Sequence, residues 1–277
     1  MKPRKHSKGV VTVAGGDKYN TNATLAMKTV RHFDKNIPIF WGYIGEHEMP
    51  DKWRNFINEE IGNVIFYNVD KKADGSTKEK SAGGWQAKPK TIQAAPFDYI
   101  LFLDADNFLL RNPFFLFETK EFLNSGACIW RDIGYQQWNK EQLVTLGDVF
   151  KIDKLDPGQA ESGQILINKQ YPGTERALNR CIEYNENSDI YYKVVYGDKD
   201  TFPIAFQKEK VKFQWSTRSP DFAHNALRQY GLLDNKHMFF HLTNSKFEKD
   251  SYPDTRIKKA FVAYKDVRDT FKKIKRL

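Results

Sequence analysis

Two acids one residue apart are the clearest chemistry-bearing pair in the chain. In "PFDYILFLDADNFLLRNPFFLF" (residues 96–117), Asp104 and Asp106 follow the apolar run Tyr99-Ile100-Leu101-Phe102-Leu103, with only Ala105 between them. Like-charged carboxylates at one strand end repel unless something positive sits between them. On alternate positions both can turn toward one hard cation bound through oxygen. The plain alternative is a pair of surface-turn acids. A second marked place is Ala14-Gly15-Gly16, which breaks the apolar "GVVTV". Glycines there would let backbone amides come close to a ligand.

Both places need a sheet beneath them. In an open α/β sheet, ligands bind beyond the carboxyl ends of strands, and the first two-thirds of the chain alternates strand-like and helix-like segments. Strands are expected at "GVVTV", "IPIFWGYI", "GNVIFYNV", residues 99–103, "GACIW" and "GQILIN". Helices are expected at "TNATLAMKTVRHF", capped by Thr21 or Asn22, and at "PDKWRNFINEE", "KPKTIQAA" and "PGTERALNRCIEYNE". After the acids, "NPFFLFETKEF" reads as a turn and a short helix. Residues 71–84 are polar and glycine-bearing, hence a loop. No repeat or linker divides the chain. The expectation is one domain over residues 1–255 with a more irregular C-terminal half, followed by a basic amphipathic helix over residues 256–277.

At 277 residues with 40% hydrophobic and 14% aromatic content, the chain can bury a sizeable core and is not of disordered composition. No apolar run approaches the ~20 residues that cross a bilayer, and the N-terminus lacks the apolar region of a signal peptide. As written the chain reads as cytoplasmic; with an anchor removed, the Golgi lumen is the alternative. Cys128 and Cys181 fit neither a disulfide framework nor a zinc or redox spacing, and read as small, partly buried apolar residues. The net charge of +9 is concentrated at the end of the chain. Ile257, Phe261, Tyr264, Phe271 and Ile274 recur at helical spacing among the basic residues. That pattern suits peripheral contact with an anionic membrane, or a terminal helix docked on the domain with a solvated basic face. No nucleic-acid motif accompanies the charge.

"LFLDADNFLLRNPFFLF", "GACIWRDI", "ESGQILINK" and "YGDKDTFPIAF", in that order, resemble metal-dependent glycosyltransferases of the GT-A fold. The nearest likeness is to fungal α-mannosyltransferases of glycosyltransferase family 71; glycogenin-like family 8 enzymes share the plan more distantly. The resemblance spans roughly residues 9–247. It implies a single-domain, Rossmann-like α/β/α sandwich with a mixed central sheet. It further implies a metal-dependent retaining transfer of a sugar from GDP-mannose or a UDP-sugar to a glycan or glycoprotein acceptor. The alternative is an inactive nucleotide-sugar or glycan binding module of the same fold.

Carried over by residue, the resemblance makes Asp104 and Asp106 ligands of Mn²⁺ (Mg²⁺ being possible), with His241 of "FFHLTNSKF" the third. Ala14, Gly15 and Gly16 lie under the nucleotide, beside Thr12 and Tyr19, which are placed to contact or stack on a base. Ala105 sits with the acids. Lys88 and Lys246 meet phosphate, although the segment carrying Lys246 is one residue shorter than its family 8 counterpart. Glu161, Asp198 and Asp200 are the candidate catalytic carboxylates. Other readings stay open at several of these positions. His241 also fits a satisfied core histidine, and Glu161 a strand cap or an arginine partner. Asp198 fits the N-cap of a helix starting at Lys199. Lys90 competes with Lys88 for phosphate, and Trp85 is either a lid anchor or a surface aromatic.

Overall fold

A computed structural model of the chain describes residues 7–71, 84–223, 226–243, 246–247 and 265–277. In chain order the first elements are β1 (Lys8–Val13), α1 (Gly16–Phe33), β2 (Ile39–Tyr43), α2 (Asp51–Glu60), β3 (Val64–Asn68), α3 (Ala87–Ala94) and β4 (Tyr99–Leu103). Next come β5 (Asn107–Leu109), α4 (Lys120–Leu123), β6 (Ala127–Arg131), α5 (Lys140–Phe150), β7 (Ala160–Asn168), α6 (Thr174–Glu186), α7 (Ser188–Tyr191) and α8 (Thr201–Lys208). The last are β8 (Phe213–Trp215), β9 (Asp221–Ala223), β10 (Ala226–Tyr230), β11 (His237–His241) and α9 (Lys265–Ile274).

A seven-stranded sheet runs β3-β2-β1-β4-β7-β6-β8. Its pairings are parallel except on either side of β7, which runs against both β4 and β6. The sheet is therefore mixed, as expected. β4 is apolar and buried at every position because core lies on both of its faces. One face packs Trp41, Leu101, Leu103 and Phe117 with α1 residues; the other packs Phe102, Ile165, Phe202 and Tyr184.

The C-terminal half is more regular than expected. Strands β5, β11, β10 and β9 form a second, antiparallel sheet. Phe108, Phe239 and Phe240 from this sheet join Leu101 and Leu103 in one apolar cluster. β5 begins one residue after Asp106, so the acidic turn is the corner between the two sheets.

α1 starts five residues earlier than its expected cap. Gly15 occupies the N-cap position without a side-chain cap bond, and Gly16 takes a φ of 70°. Thr21 and Asn22 lie inside the helix, donating back to the carbonyls of Asp17 and Lys18, and Asn22 also grips the Phe247 backbone. Polar side chains that bond to i−4 carbonyls are no longer available as caps. The expected 71–84 loop lies outside the described residues except at its two ends. Cys128 and Cys181 are fully rather than partly buried.

Of the expected C-terminal helix, residues 256–264 lie outside the described residues. α9 buries Val267, Phe271 and Ile274 in the main core, so its apolar face is already covered. Among the described residues, no helix is long and apolar enough to cross a membrane.

Candidate active site

The site forms where β4 ends, β5 begins and β11 ends. β11 pairs with β5 in a register that sets His241 opposite Asn107. The imidazole thereby reaches the acids: His241 Nε2 lies 3.2 Å from Asp106 and 3.8 Å from Asp104. One ligand atom from each of Asp104, Asp106 and His241 falls within 4.8 Å of the others. Two carboxylates and an imidazole converging in this way are a donor set suited to a divalent cation.

Two lysines flank the group. Lys88 Nζ lies 3.0 Å from Asp104 and 2.8 Å from Asp198, and donates to the Ser162 hydroxyl and carbonyl. Lys246 Nζ lies 2.7 Å from Asp106. Lys90 turns away to Glu186 at 2.9 Å, so of the two neighbouring lysines it is Lys88 that lines the cavity. A cation placed between like charges offsets the cost of burying them together.

The opening of β7 shapes the other wall. Pairing with β6 slips between Ile129 and Trp130, so that Trp130 faces Glu161 while Ile129 faces Ile165. Such a bulge re-aims side chains. Glu161 reaches His241 Nδ1 at 3.0 Å while accepting from the Gly163 amide. Ser162 faces Lys88, and the Gly163 carbonyl accepts from the Asp104 amide and the Asn107 side chain. Gly163 has no room for a side chain: a Cβ there would lie 2.4 Å from His241 Nδ1.

Electrostatics follow from these contacts. Burial pushes the Asp104 carboxyl up to about 6, although Lys88 and His241 oppose it. Burial acts the same way on Asp106, but His241 and Lys246 outweigh it and hold the group below the usual carboxylate range. Glu161 is likewise held low by His241 and the Gly163 amide against burial. Burial would lower His241, yet Asp106 and Glu161 raise it well above the ordinary imidazole value. The site is thus an excess of acids neutralised by protons and lysines, a balance that a bound cation would replace.

A cavity of about 470 Å³ opens over this group. Ala14, Gly15, Tyr19, Lys88, Asp104, Ala105, Asp106, Glu161, Asp198, His241 and Lys246 all line it, so the structure brings most of the sequence-derived residues together. Thr12, Gly16 and Asp200 do not line it. Thr12 is buried within β1, and Asp200 accepts from the Ala160 amide beneath the start of β7. The helix-cap reading of Asp198 is overturned: α8 starts at Thr201 with Asp200 in the cap position, and the Asp198 carboxylate is engaged by Lys88. Ser162, Lys199, Tyr196, Thr243 and Glu48 also line the cavity. The first three lie inside the quoted "ESG" and "YGDKD" motifs, whereas Glu48 carries no sequence signal.

A model of the Mannosyl_trans3 family, described as mannosyltransferases, matches residues 7–157, more than half of the chain. The chain belongs to this family. Among curated relatives, the α-1,2-mannosyltransferase MNN23 of Candida albicans is 24% identical over 91% of this chain and 50% of its own length. The α-1,2-mannosyltransferase MNN2 of Saccharomyces cerevisiae is 24% identical over 71% of this chain and 39% of its own. The chain thus spans about half the length, or less, of these relatives. Among solved structures, the galactosyltransferase LgtC, in complex with donor and acceptor sugar analogs, superposes with a TM-score of 0.50. Identity there is 17%, over 71% of this chain and 70% of that one, a likeness of fold. The fold is the GT-A type, and within the family's matched span lie Ala14, Gly15, Lys88, Asp104 and Asp106.

Proposed function

We propose that this chain is a metal-dependent, retaining glycosyltransferase that moves a sugar from a nucleotide diphosphate to a saccharide hydroxyl. Mannose from GDP-mannose is the leading donor, in keeping with the family, and a UDP-sugar is the alternative. The observation that carries the reading is the convergence of Asp104, Asp106 and His241, flanked by Lys88 and Lys246, on one cavity.

Breaking a sugar–phosphate bond leaves a diphosphate with added negative charge. Asp104, Asp106 and His241 would hold Mn²⁺ or Mg²⁺, which supplies charge neutralisation at that diphosphate. Lys88 and Lys246 would exchange a carboxylate partner for phosphate oxygens, adding preorganised donors where charge develops. Gly15, the N-cap residue of α1, lines the same cavity, and a helix start is favourable for an anion. On the donor's sugar face, Asp198 is retained as the carboxylate that stabilises positive charge at the anomeric carbon. Glu161 is engaged by His241 and Gly163, and Asp200 faces Ala160. Of the two locations considered from sequence, the Golgi lumen suits the family resemblance.

Calorimetric titration with GDP-mannose, UDP-glucose and UDP-galactose, with Mn²⁺ and again with chelator, tests the reading. Metal-dependent binding of one donor, lost in Asp104→Asn and Asp106→Asn, is expected, together with transfer to a saccharide. Binding without turnover would favour the inactive module, and no binding in either condition would overturn the nucleotide-sugar reading.

A further inference from the structure

Two large aromatic side chains stand exposed at the cavity wall. Trp85 is 51% and Tyr196 75% solvent-accessible, yet both line the cavity. Their ring centroids are 5.7 Å apart with the planes tilted, and Tyr192 supports the indole from a further side at 5.9 Å. Gly197 closes the arrangement. It has a φ of 68°, and a Cβ there would lie 3.0 Å from Trp85 Cε3, so the backbone packs on the indole where no side chain fits. The indole is therefore held in place while much of its surface stays open. Exposed apolar surface kept beside a cavity marks a binding surface rather than a packing remnant.

We propose that Trp85 and Tyr196 form a stacking platform for a pyranose ring of the saccharide acceptor. The inference rests on the glycosyltransferase reading and names where its second substrate sits. Aromatic faces carry negative charge density, and a pyranose chair presents a face of weakly positive C–H groups. Its hydroxyls point outward, toward polar neighbours of the platform; Asp198 and Lys199 follow Tyr196 in the chain and line the same cavity. Such pairing of an apolar surface with a few polar groups is how small-ligand sites fix orientation.

Position separates this subsite from the nucleotide end. Tyr19 and Lys246 border the Asp106 side, where Lys246 Nζ lies 2.7 Å from Asp106 and 5.9 Å from the Tyr19 ring centroid. Trp85 lies three residues before Lys88, and Tyr196 two before Asp198, which Lys88 bonds on the other side. The platform thus adjoins the carboxylate assigned to the sugar face, where an acceptor must approach.

The test measures binding of methyl α-mannopyranoside to the whole chain by saturation-transfer NMR, with GDP-mannose and Mn²⁺ affinity measured in parallel by calorimetry. Trp85→Ala and Tyr196→Ala should each weaken saccharide binding about three- to tenfold, Trp85→Phe should restore part of it, and donor affinity should stay unchanged. The proposal is overturned if the parent chain does not bind the saccharide, or if the alanine variants bind it as the parent does. It is also overturned if donor affinity falls in step, which would give the platform to the donor. Failure of the glycosyltransferase reading shows separately, as absence of nucleotide-sugar binding by the parent.

Discussion

Glu161 Oε1 lies 3.0 Å from His241 Nδ1, on the side of the imidazole opposite the nitrogen that faces Asp106 and Asp104. A carboxylate bonded to one ring nitrogen fixes the tautomer and aims the other nitrogen at a metal. With a metal bound, Glu161 would act as a positioning residue. Glu161→Ala should weaken Mn²⁺ binding about 10- to 100-fold, while Glu161→Gln, which keeps an acceptor oxygen, should retain most of it. Titration followed by electron paramagnetic resonance reads this directly. Equal losses in the two variants would assign Glu161 another role.

Gly163 should not tolerate alanine. The added Cβ would meet His241 Nδ1 at 2.4 Å and Glu161 Oε1 at 2.7 Å, a buried and a half-buried side chain hydrogen-bonded to each other. Overpacking of this kind costs about 1–3 kcal/mol, and here relief requires parting the Glu161–His241 pair. Gly163→Ala should therefore lose stability and Mn²⁺ affinity together, measured by urea unfolding and metal titration. Lost stability with unchanged metal affinity would mean that the strain is relieved elsewhere.

The acidic corner was legible because its signal is local: a buried strand and two acids are contiguous in the chain. The ordered motifs likewise carried the GT-A fold, and the resemblance built on them pointed to Lys88 and His241. What escaped depends on contacts distant in sequence. The bulge that aims Glu161 at His241 arises from pairing with β6, and Asp198 is drawn from a helix-cap role by Lys88, more than a hundred residues away. The start of α1 was misread because Thr21 and Asn22 have cap chemistry, which they spend on α1 carbonyls and on Phe247. The second sheet was missed because its strands are short and follow polar, aromatic-broken segments without clean alternation.

Asp200 should give the stability a pH dependence of its own. Burial raises its carboxyl to about 7, against Lys199 and the Ala160 amide, from an ordinary value of 3.8. Its Oδ2 is buried and finds no hydrogen-bond partner among the described residues. Between those values the folded chain holds a proton that the unfolded chain has released, so this contribution to stability is full below the lower value and is lost as pH rises toward the upper. Asp200→Asn keeps an acceptor for Ala160 and removes the titration. Urea unfolding at pH 5 and pH 8 should show a smaller gap in Asp200→Asn than in the parent, with the variant relatively more stable at pH 8. An unchanged gap would show that Asp200 stays ionised in the fold.

The terminal helix is a buttress in this structure, and its removal should be felt at the Asp104–Asp106–His241 group. Phe271 is buried and packs on Phe247, with ring centroids 5.4 Å apart. Phe247 is clamped by Asn22 through bonds of 2.8 Å in both directions and follows Lys246, the partner of Asp106. A second tie runs from Thr270 and Lys273 to Glu60 on α2. Emptying the Phe271 position should cost about 3–5 kcal/mol. Part of the effect should travel through Phe247 and loosen Lys246 over Asp106. Phe271→Ala should therefore unfold at lower urea and bind Mn²⁺ with altered affinity while still folded. A stability loss with unchanged metal binding would confine α9 to holding the core, with the lysine positioned by Asn22 alone.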